Sequence, residues 1–264
     1  MKKDDQLRLV QMYLTLAYTA AKLVHEVYDL LNIAFNYFIM NVPNLENPRW
    51  TTKFRVKLYS WVFVPTDNNI KYGKFVKKAI EEKWQPPRNY YHLRDGGHVR
   101  ALKSHLQNKY FIRLDISNFF GSINRTRITR CVKQIFSYDI SRRIAIDSTV
   151  RLPEVSEIRY ILPFGFIQSP IIASLCLYHS RLGSYLENLG RKGLMVSVYM
   201  DDIIISGDNE KCLHIILEEI RGIADKAGFP LNLNKEEGPS HRITAFNIHL
   251  SHNYLEITQD RMEE

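Results

Sequence analysis

The sequence predicts an α+β fold. Runs of strand length rich in β-branched and aromatic residues alternate irregularly with stretches whose apolar residues recur every third or fourth position. The strongest of the former, "MVSVYMDDIIIS" (195–206), reads as a hairpin of two strands. Size agrees, because 264 residues at 45% hydrophobic and 12% aromatic content suffice for one large or two small domains with a real core.

Residues 5–40 read as helical, with apolar spacing of three and four and no proline, and "NVPNLENPRW" (41–50) as a loop. Residues 53–64, "KFRVKLYSWVFV", set Lys53, Arg55 and Lys57 on one face of a strand and Phe54, Val56 and Leu58 on the other. A basic helix is expected over 70–84, ended by "QPPR", then a Gly-Gly turn in "YYHLRDGGHVRAL" with a short helix running to His105. "KYFIRLDISNFFGSI" (109–123) begins as a strand, a helix follows from Arg125 to Phe136, and 137–160 is weakly patterned. "LPFGFIQSP" (162–170) is a loop feeding one long helix over 169–189. Past the hairpin, Asp208 is the expected N-cap of a helix carrying Leu213, Ile216, Leu217, Ile220 and Ile223 on one face, and Gly228 closes it. "LNLNKEEG" and "RITAFNIHLS" predict two or three short closing strands.

Lys plus Arg number 36 against 28 Asp plus Glu, a formal charge of +8, which points to a polyanionic partner such as nucleic acid, or to an acidic membrane surface. Cys131, Cys176 and Cys212 form no CxxC pair, which argues against zinc and against a disulfide framework. All three are expected to be core thiols in a reducing cytoplasm. The N-terminal segment lacks the uninterrupted apolar stretch and cleavage site of a signal peptide, and no stretch reaches the length of a membrane span, so a cytoplasmic protein without a membrane partner is expected.

Asp201 and Asp202 stand at the junction of the two strands of the hairpin. A solvated turn accounts for them as well as a functional site does, until Asp115 is considered. Asp115 lies in a second apolar strand between Leu114 and Ile116, with little turn chemistry around it. If that strand pairs beside the hairpin, Asp115 and Asp201 address one volume. Crowded, buried carboxylates are costly unless a cation neutralises them. Hard oxygen donors suit Mg²⁺, and two such ions about 3.5–4 Å apart activate a hydroxyl and stabilise the leaving oxygen of an in-line phosphoryl displacement.

At this point the chain resembles the reverse transcriptases. "RLDISNFFGSI" is similar to the family's first catalytic motif, "LPFGFIQSP" to the second, "YMDD" to the third, "LNLNKEEG" to the fourth and "ITAFNIHLS" to the fifth. They occur in the family's order over residues 113–251, and the resemblance implies that 53–105 would supply the fingers. The resemblance implies a right-hand polymerase palm and fingers. Residues 1–110 would form N-terminal helices and fingers, and 111–251 the palm with a fingers insertion around 125–165. Residues 252–264 would start a thumb or form a tail.

It further implies that Asp115 and Asp201 bind two Mg²⁺ ions (Mn²⁺ as an alternative), with Asp202 as a neighbouring ligand and the Ile116 carbonyl facing metal and triphosphate. Phe120 matches the steric gate that excludes a 2′-hydroxyl. Lys235 would stand at the pyrophosphate as proton donor or charge stabiliser, a catalytic role beside the three aspartates. Phe164, Gly165, Gln168 and Tyr199 would surround the nucleotide, and Arg55 and Lys57 would clamp its triphosphate.

The second motif departs from the commoner pattern at Phe164, Phe166 and Ile167. A Val-Thr-Gly tripeptide is absent, and "RALKSH" only approximates the retron finger motif. The paired "FF" after Asp115 and the small size are closest to bacterial retron-like and abortive-infection enzymes, whereas these departures resemble poorly classified bacterial groups linked to antiphage defence more than retrons, so a defence-associated polymerase is preferred. The implied partners are an RNA template, for which a dedicated non-coding RNA is a candidate, a DNA product and dNTPs. Thirteen residues follow "ITAFNIHLS", so the thumb is expected to be missing or truncated. A partner protein, a structured RNA or self-association would replace it, docking on an exposed surface around Phe246, Ile248 and Leu250. One rival reading is a non-templated or protein-primed DNA polymerase, with Phe164 and Phe166 crowding the templating position. The other is an inactive nucleic-acid-binding subunit of a defence complex.

Overall fold

A computed structural model describes residues 48–57, 60–152 and 158–259, together with residues 16, 19–24, 26, 27 and 30. The chain divides into two compact units, residues 1–44 and 45–264. In the first, every described residue is helical, within the helix expected over 5–40. The remainder of that helix, and the loop at 41–47, lie outside the described residues.

The second unit begins with an antiparallel pair, β1 (Trp50–Lys57) and β2 (Ser60–Pro65), where the sequence suggested a single strand. Pairing gives the apolar residues partners that one isolated strand would lack: Trp50 meets Phe63 edge-on at 5.7 Å between ring centroids. Thr66 accepts a hydrogen bond from the Asn69 N–H and so caps helix α1 (Asp67–Lys83), which starts three residues earlier than expected and stops before Pro86-Pro87. Gly96, in the left-handed region at φ 85°, introduces α2 (Gly97–Ser104), with His105 as C-cap.

Strand β3 (Tyr110–Asp115) follows, then α3 (Arg125–Val132), which ends four residues short of the expected Phe136. The weakly patterned stretch holds a helix, α4 (Tyr138–Asp147), and a two-residue ladder, β4 (Val150–Arg151) with β5 (Tyr160–Ile161). The apolar stripe of α4 is short, Ile140, Ile144 and Ala145, and four charged residues interrupt its pattern.

The expected long helix over 169–189 is two helices, α5 (Ser169–Tyr178) and α6 (Arg181–Arg191). Ser180 breaks it by capping α6: its hydroxyl accepts the Gly183 N–H at 3.1 Å. At Gly183 a β-carbon would collide with the carbonyl oxygen of Leu177, so the chain turns tightly where only glycine fits.

The hairpin is present as β6 (Met195–Tyr199) and β7 (Asp202–Gly207). Helix α7 (Glu210–Ala227) is capped by Asn209 rather than Asp208, whose carboxylate instead accepts the Lys109 N–H. Gly228, at φ 67°, ends it as predicted. Four short strands close the described chain: β8 (Glu237–Ser240), β9 (Arg242–Ala245), β10 (Ile248–Ser251) and β11 (Tyr254–Ile257). β11 falls in the segment assigned above to a thumb start or tail, and pairs with β10.

The main sheet has strand order β6-β7-β3-β8, antiparallel throughout. By alternation, Ile112, Leu114, Ile203 and Ile205 face one side, against which α6 and α7 pack. Phe111 and Ile204 face the other and form a core with Leu102 of α2 and Ile243, Ala245 and Leu250 of the second sheet, β11-β10-β9.

Two expectations are corrected here. Leu250 is fully buried, with Ile248 and Phe246 packed partly buried against the same core, so this is no open docking surface. Cys131 and Cys176 are buried, but Cys212 is exposed because it sits in the first turn of α7, off its apolar face. Among the described residues no helix is long and apolar enough to cross a membrane.

Candidate active site

The register that places Asp115 opposite Asp202 brings the first and third motifs together at one end of the main sheet. Asp201 is the turn residue just before β7, and its carbonyl accepts the Ile116 N–H at 2.8 Å, which locks the end of β3 to the hairpin turn. A cavity of about 630 Å³ opens there. Asp115, Ile116, Phe120, Phe164, Asp201 and Lys235 line it, with Trp61 of β2 at its rim.

Asp115 is only 4% exposed, and Lys235 Nζ donates to its Oδ1 at 2.5 Å. That hydrogen bond, with the charges of Asp115, Asp201 and Asp202 added, raises the Lys235 pKa and keeps it an ammonium. Lys235 reaches the site from a short 3-10 turn, Leu233–Lys235, in which Asn232 takes the Asn234 N–H.

Asp201 is held up from 3.8 to about 6, first by burial, then by the neighbouring carboxylates of Asp202 and Asp115. Burial also raises Asp202, against the opposing pull of Arg113. Asp202 does not line the cavity. Its Oδ1 takes hydrogen bonds from Arg113 Nε at 3.3 Å and Nη2 at 3.2 Å, and Arg113 also binds Glu237 and the Thr244 carbonyl. Arg113 was not among the expected site residues. Its signal was in the sequence: a lone charge in an apolar strand, two positions before Asp115 and so on the same face.

His92 was also missed, and no sequence pattern marks it. Met200, in the turn, adopts φ 58°, a left-handed conformation uncommon for a side chain of its size. The Met200 N–H donates to His92 Nδ1 at 3.0 Å, while the ring's other nitrogen lies 2.6 Å from Ser174 Oγ. With Nδ1 accepting, the proton sits on Nε2 and is donated to Ser174, whose own hydroxyl goes to the Pro170 carbonyl. Burial lowers the His92 pKa to about 4, so the ring stays neutral and this tautomer persists. Deeper in, His105 bridges Ser197 and Ser206 at 2.8 and 2.6 Å and ties α2 to both strands of the hairpin.

The second motif frames the opposite wall. Phe63 N–H donates to the Phe164 carbonyl at 2.9 Å. Gly165 has φ 111°, and a β-carbon there would collide with the Phe63 carbonyl oxygen. Phe164 is 55% exposed and meets Phe120 edge-on at 5.6 Å. Phe119 turns into the core. Phe166 is buried with Phe63, Val150 and Ile161, so of the two rings expected to crowd the template only Phe164 faces the cavity.

The remaining expected residues lie elsewhere. Gln168 is fully buried at the start of α5, with Nε2 donating to Ser148 Oγ. Tyr199 packs among His92, His98 and Phe246. The Arg55 guanidinium lies 5.0 Å from the Trp61 ring centroid, one ring removed from the cavity. The Lys57 side chain is outside the described residues.

Among the described residues no group of three or more His, Cys, Asp or Glu side chains forms a metal-ligand set. The carboxylates that line the cavity are Asp115 and Asp201. That pair fits Mg²⁺, which takes one or two carboxylates and completes its octahedron with water and substrate phosphate oxygens. The raised pKa of Asp201 also fits, since a cation removes the repulsion that causes part of it.

The Retron Se72 reverse transcriptase of Salmonella heidelberg (strain 579083-10) is 23% identical over 209 residues, covering 75% of this chain and 53% of its own. The Retron Ec73 reverse transcriptase of Escherichia coli is 28% identical over 148 residues, covering 51% and 44%. The chain thus spans about half the length of these curated relatives. Telomerase from Candida tropicalis, solved with a fragment of telomeric RNA, superposes on 74% of this chain and 37% of its own, with a TM-score of 0.51 at 14% identity. The family described as reverse transcriptase (RNA-dependent DNA polymerase) matches residues 22–250, which span both walls of the cavity and both aspartates. On that match the chain belongs to the reverse transcriptase family, with retron reverse transcriptases among its relatives.

Proposed function

We propose that this chain carries out RNA-directed DNA synthesis. A primer 3′-hydroxyl attacks the α-phosphate of a dNTP, the new phosphodiester forms, and pyrophosphate leaves. The observation that carries the reading is the convergence of Asp115, Asp201, Phe120 and Lys235 on one cavity.

Asp115 and Asp201, with the Ile116 carbonyl, would hold Mg²⁺, or Mn²⁺ in its place. When bound, such ions lower the pKa of the attacking hydroxyl and neutralise charge on the leaving oxygen. Phe120 stands at the cavity wall as the residue that leaves no room for a 2′-hydroxyl. Lys235 holds a positive charge beside Asp115, available to a triphosphate. Phe164, exposed at the wall, offers a ring face to a base. Asp202 acts through Arg113, keeping the end of β7 in place against β3.

The template we propose is RNA, with a dedicated non-coding RNA as the first to test, and the setting is bacterial antiphage defence. The burial of Phe166 removes one of the two rings on which a non-templated mechanism rested.

The test is primer extension on an RNA template with dNTPs and Mg²⁺. The wild-type protein extends the primer and Asp201→Ala does not, at unchanged secondary structure. Equal extension by both would overturn the reading.

A further inference from the structure

A second cavity, of about 310 Å³, lies between α3 and α4 and shares no residue with the first. Four cations line it: Arg125 and Arg130 from α3, Lys133 at the C-cap of α3, and Arg142 from α4, with Tyr138 and Thr126 also in the lining. No Asp or Glu is among its lining residues.

The surrounding fold uses its other arginines structurally. Arg49 and Arg143 share the buried Asp147 carboxylate, and Arg127 donates to the Ala227 and Gly228 carbonyls at the end of α7. Arg130, Lys133 and Arg142 are exposed, and no carboxylate pairs with them among the described residues. Like charges three residues apart on a helix, as at Arg130 and Lys133, are unfavourable in an isolated helix.

Arg125 is pre-set. Its guanidinium stacks on Tyr160 at 3.4 Å and its Nε donates to Thr149. From Arg125 to Lys133 the helix rises about 12 Å, longer than a single phosphate group.

We propose that this cavity binds consecutive phosphates of a nucleic-acid strand, as a second site separate from the catalytic cavity. The recognition is of the backbone, by point charges and a fixed guanidinium fork, and is independent of base sequence. A free nucleotide shares the phosphate chemistry. The length of the cation row and its exposure favour a strand.

The experiment measures binding of a single-stranded RNA across a salt series, with the whole chain. Each phosphate contact to a single strand contributes a slope of about −0.7 in log affinity against log salt. The Arg130→Ala/Arg142→Ala protein is expected to bind more weakly and to lose about 1.4 of that slope, with its melting temperature and dNTP affinity unchanged. Lys211→Ala/Lys226→Ala removes the same charge from exposed positions of α7 and is expected to change neither. Equal weakening by the two double variants would overturn the proposal, because the effect would then be net charge alone. Loss of dNTP binding with strand binding intact would also overturn it, by making the cavity a nucleotide pocket. The readout is binding, so it stands apart from the polymerase reading, which primer extension decides.

Discussion

Asp201→Asn in metal-free protein separates the electrostatic cost of the cavity from its packing. Asn keeps the shape of the side chain and removes the charge. The folded chain holds the Asp201 pKa at about 6, against 3.8 for the free side chain. That difference is worth about 3 kcal/mol between the protonation states, and the folded state is the one that retains the proton.

Below pH 3.8 the carboxyl is protonated whether the chain is folded or not, and contributes nothing. From 3.8 to about 6 the folded state binds more protons than the unfolded, so wild-type stability falls as pH rises. Above about 6 the full penalty is present.

Asp201→Asn should therefore be more stable than wild type at pH 7 by about 3 kcal/mol, which for a chain of this size is roughly 6–12 °C in melting temperature. The gap should close as pH falls toward 4. Thermal melts in buffered EDTA from pH 4 to 8 read it directly. Added Mg²⁺ should raise the wild-type melting temperature more than that of the variant. A variant less stable than wild type at pH 7, or a gap unchanged across the pH range, would refute the reasoning.

Phe120→Ala should raise the ratio of ribonucleotide to deoxynucleotide incorporation, and an unchanged ratio in competition assays would reduce Phe120 to a packing residue. Arg113→Met leaves Asp202 and Glu237 without their cation and should cost about 3 kcal/mol in urea unfolding, most of which Arg113→Met/Asp202→Asn restores. His92→Gln keeps a donor toward Ser174 but no acceptor for the Met200 N–H, and should lower kcat about tenfold, the equivalent of ~1.4 kcal/mol, with KM little changed. His92→Asn keeps the acceptor and should retain more of kcat, so the reverse order would show that His92 does not act by fixing the turn.

Pairing of the catalytic strands was legible because it rests on local chemistry. A carboxylate at the end of an apolar, β-branched run is too costly to sit there without a use, and the expected neighbours, β3 and β7, are neighbours. The break between α5 and α6 was not read from the sequence, because Ser180, a favoured N-cap, and Gly183, a poor helix former, lie inside one continuous apolar pattern, and only the course of the chain makes them a cap and a close approach. Helix α4 hid because charge outweighs its short apolar stripe. Asp115, Asp201, Phe120, Phe164 and Lys235 reach one cavity because each follows a strand or turn that the motifs identify. Gln168 does not, because the loop turns it inward, a rotation that no residue spacing encodes. Met200 needs a partner 108 positions away, and nothing in either segment names the other.

The bond from Phe63 to the Phe164 carbonyl, with no space left at Gly165, has a mechanical consequence. The β1–β2 pair and the loop of the second motif are joined at this point. Lys53 and Arg55 lie over Trp61 on the one side of this junction, and the Phe164 ring meets Phe120 on the other, with Trp61 and Phe164 both at the cavity. A displacement of β2 at Phe63 is therefore expected to be felt at Phe164, whose ring meets Phe120 across the cavity wall.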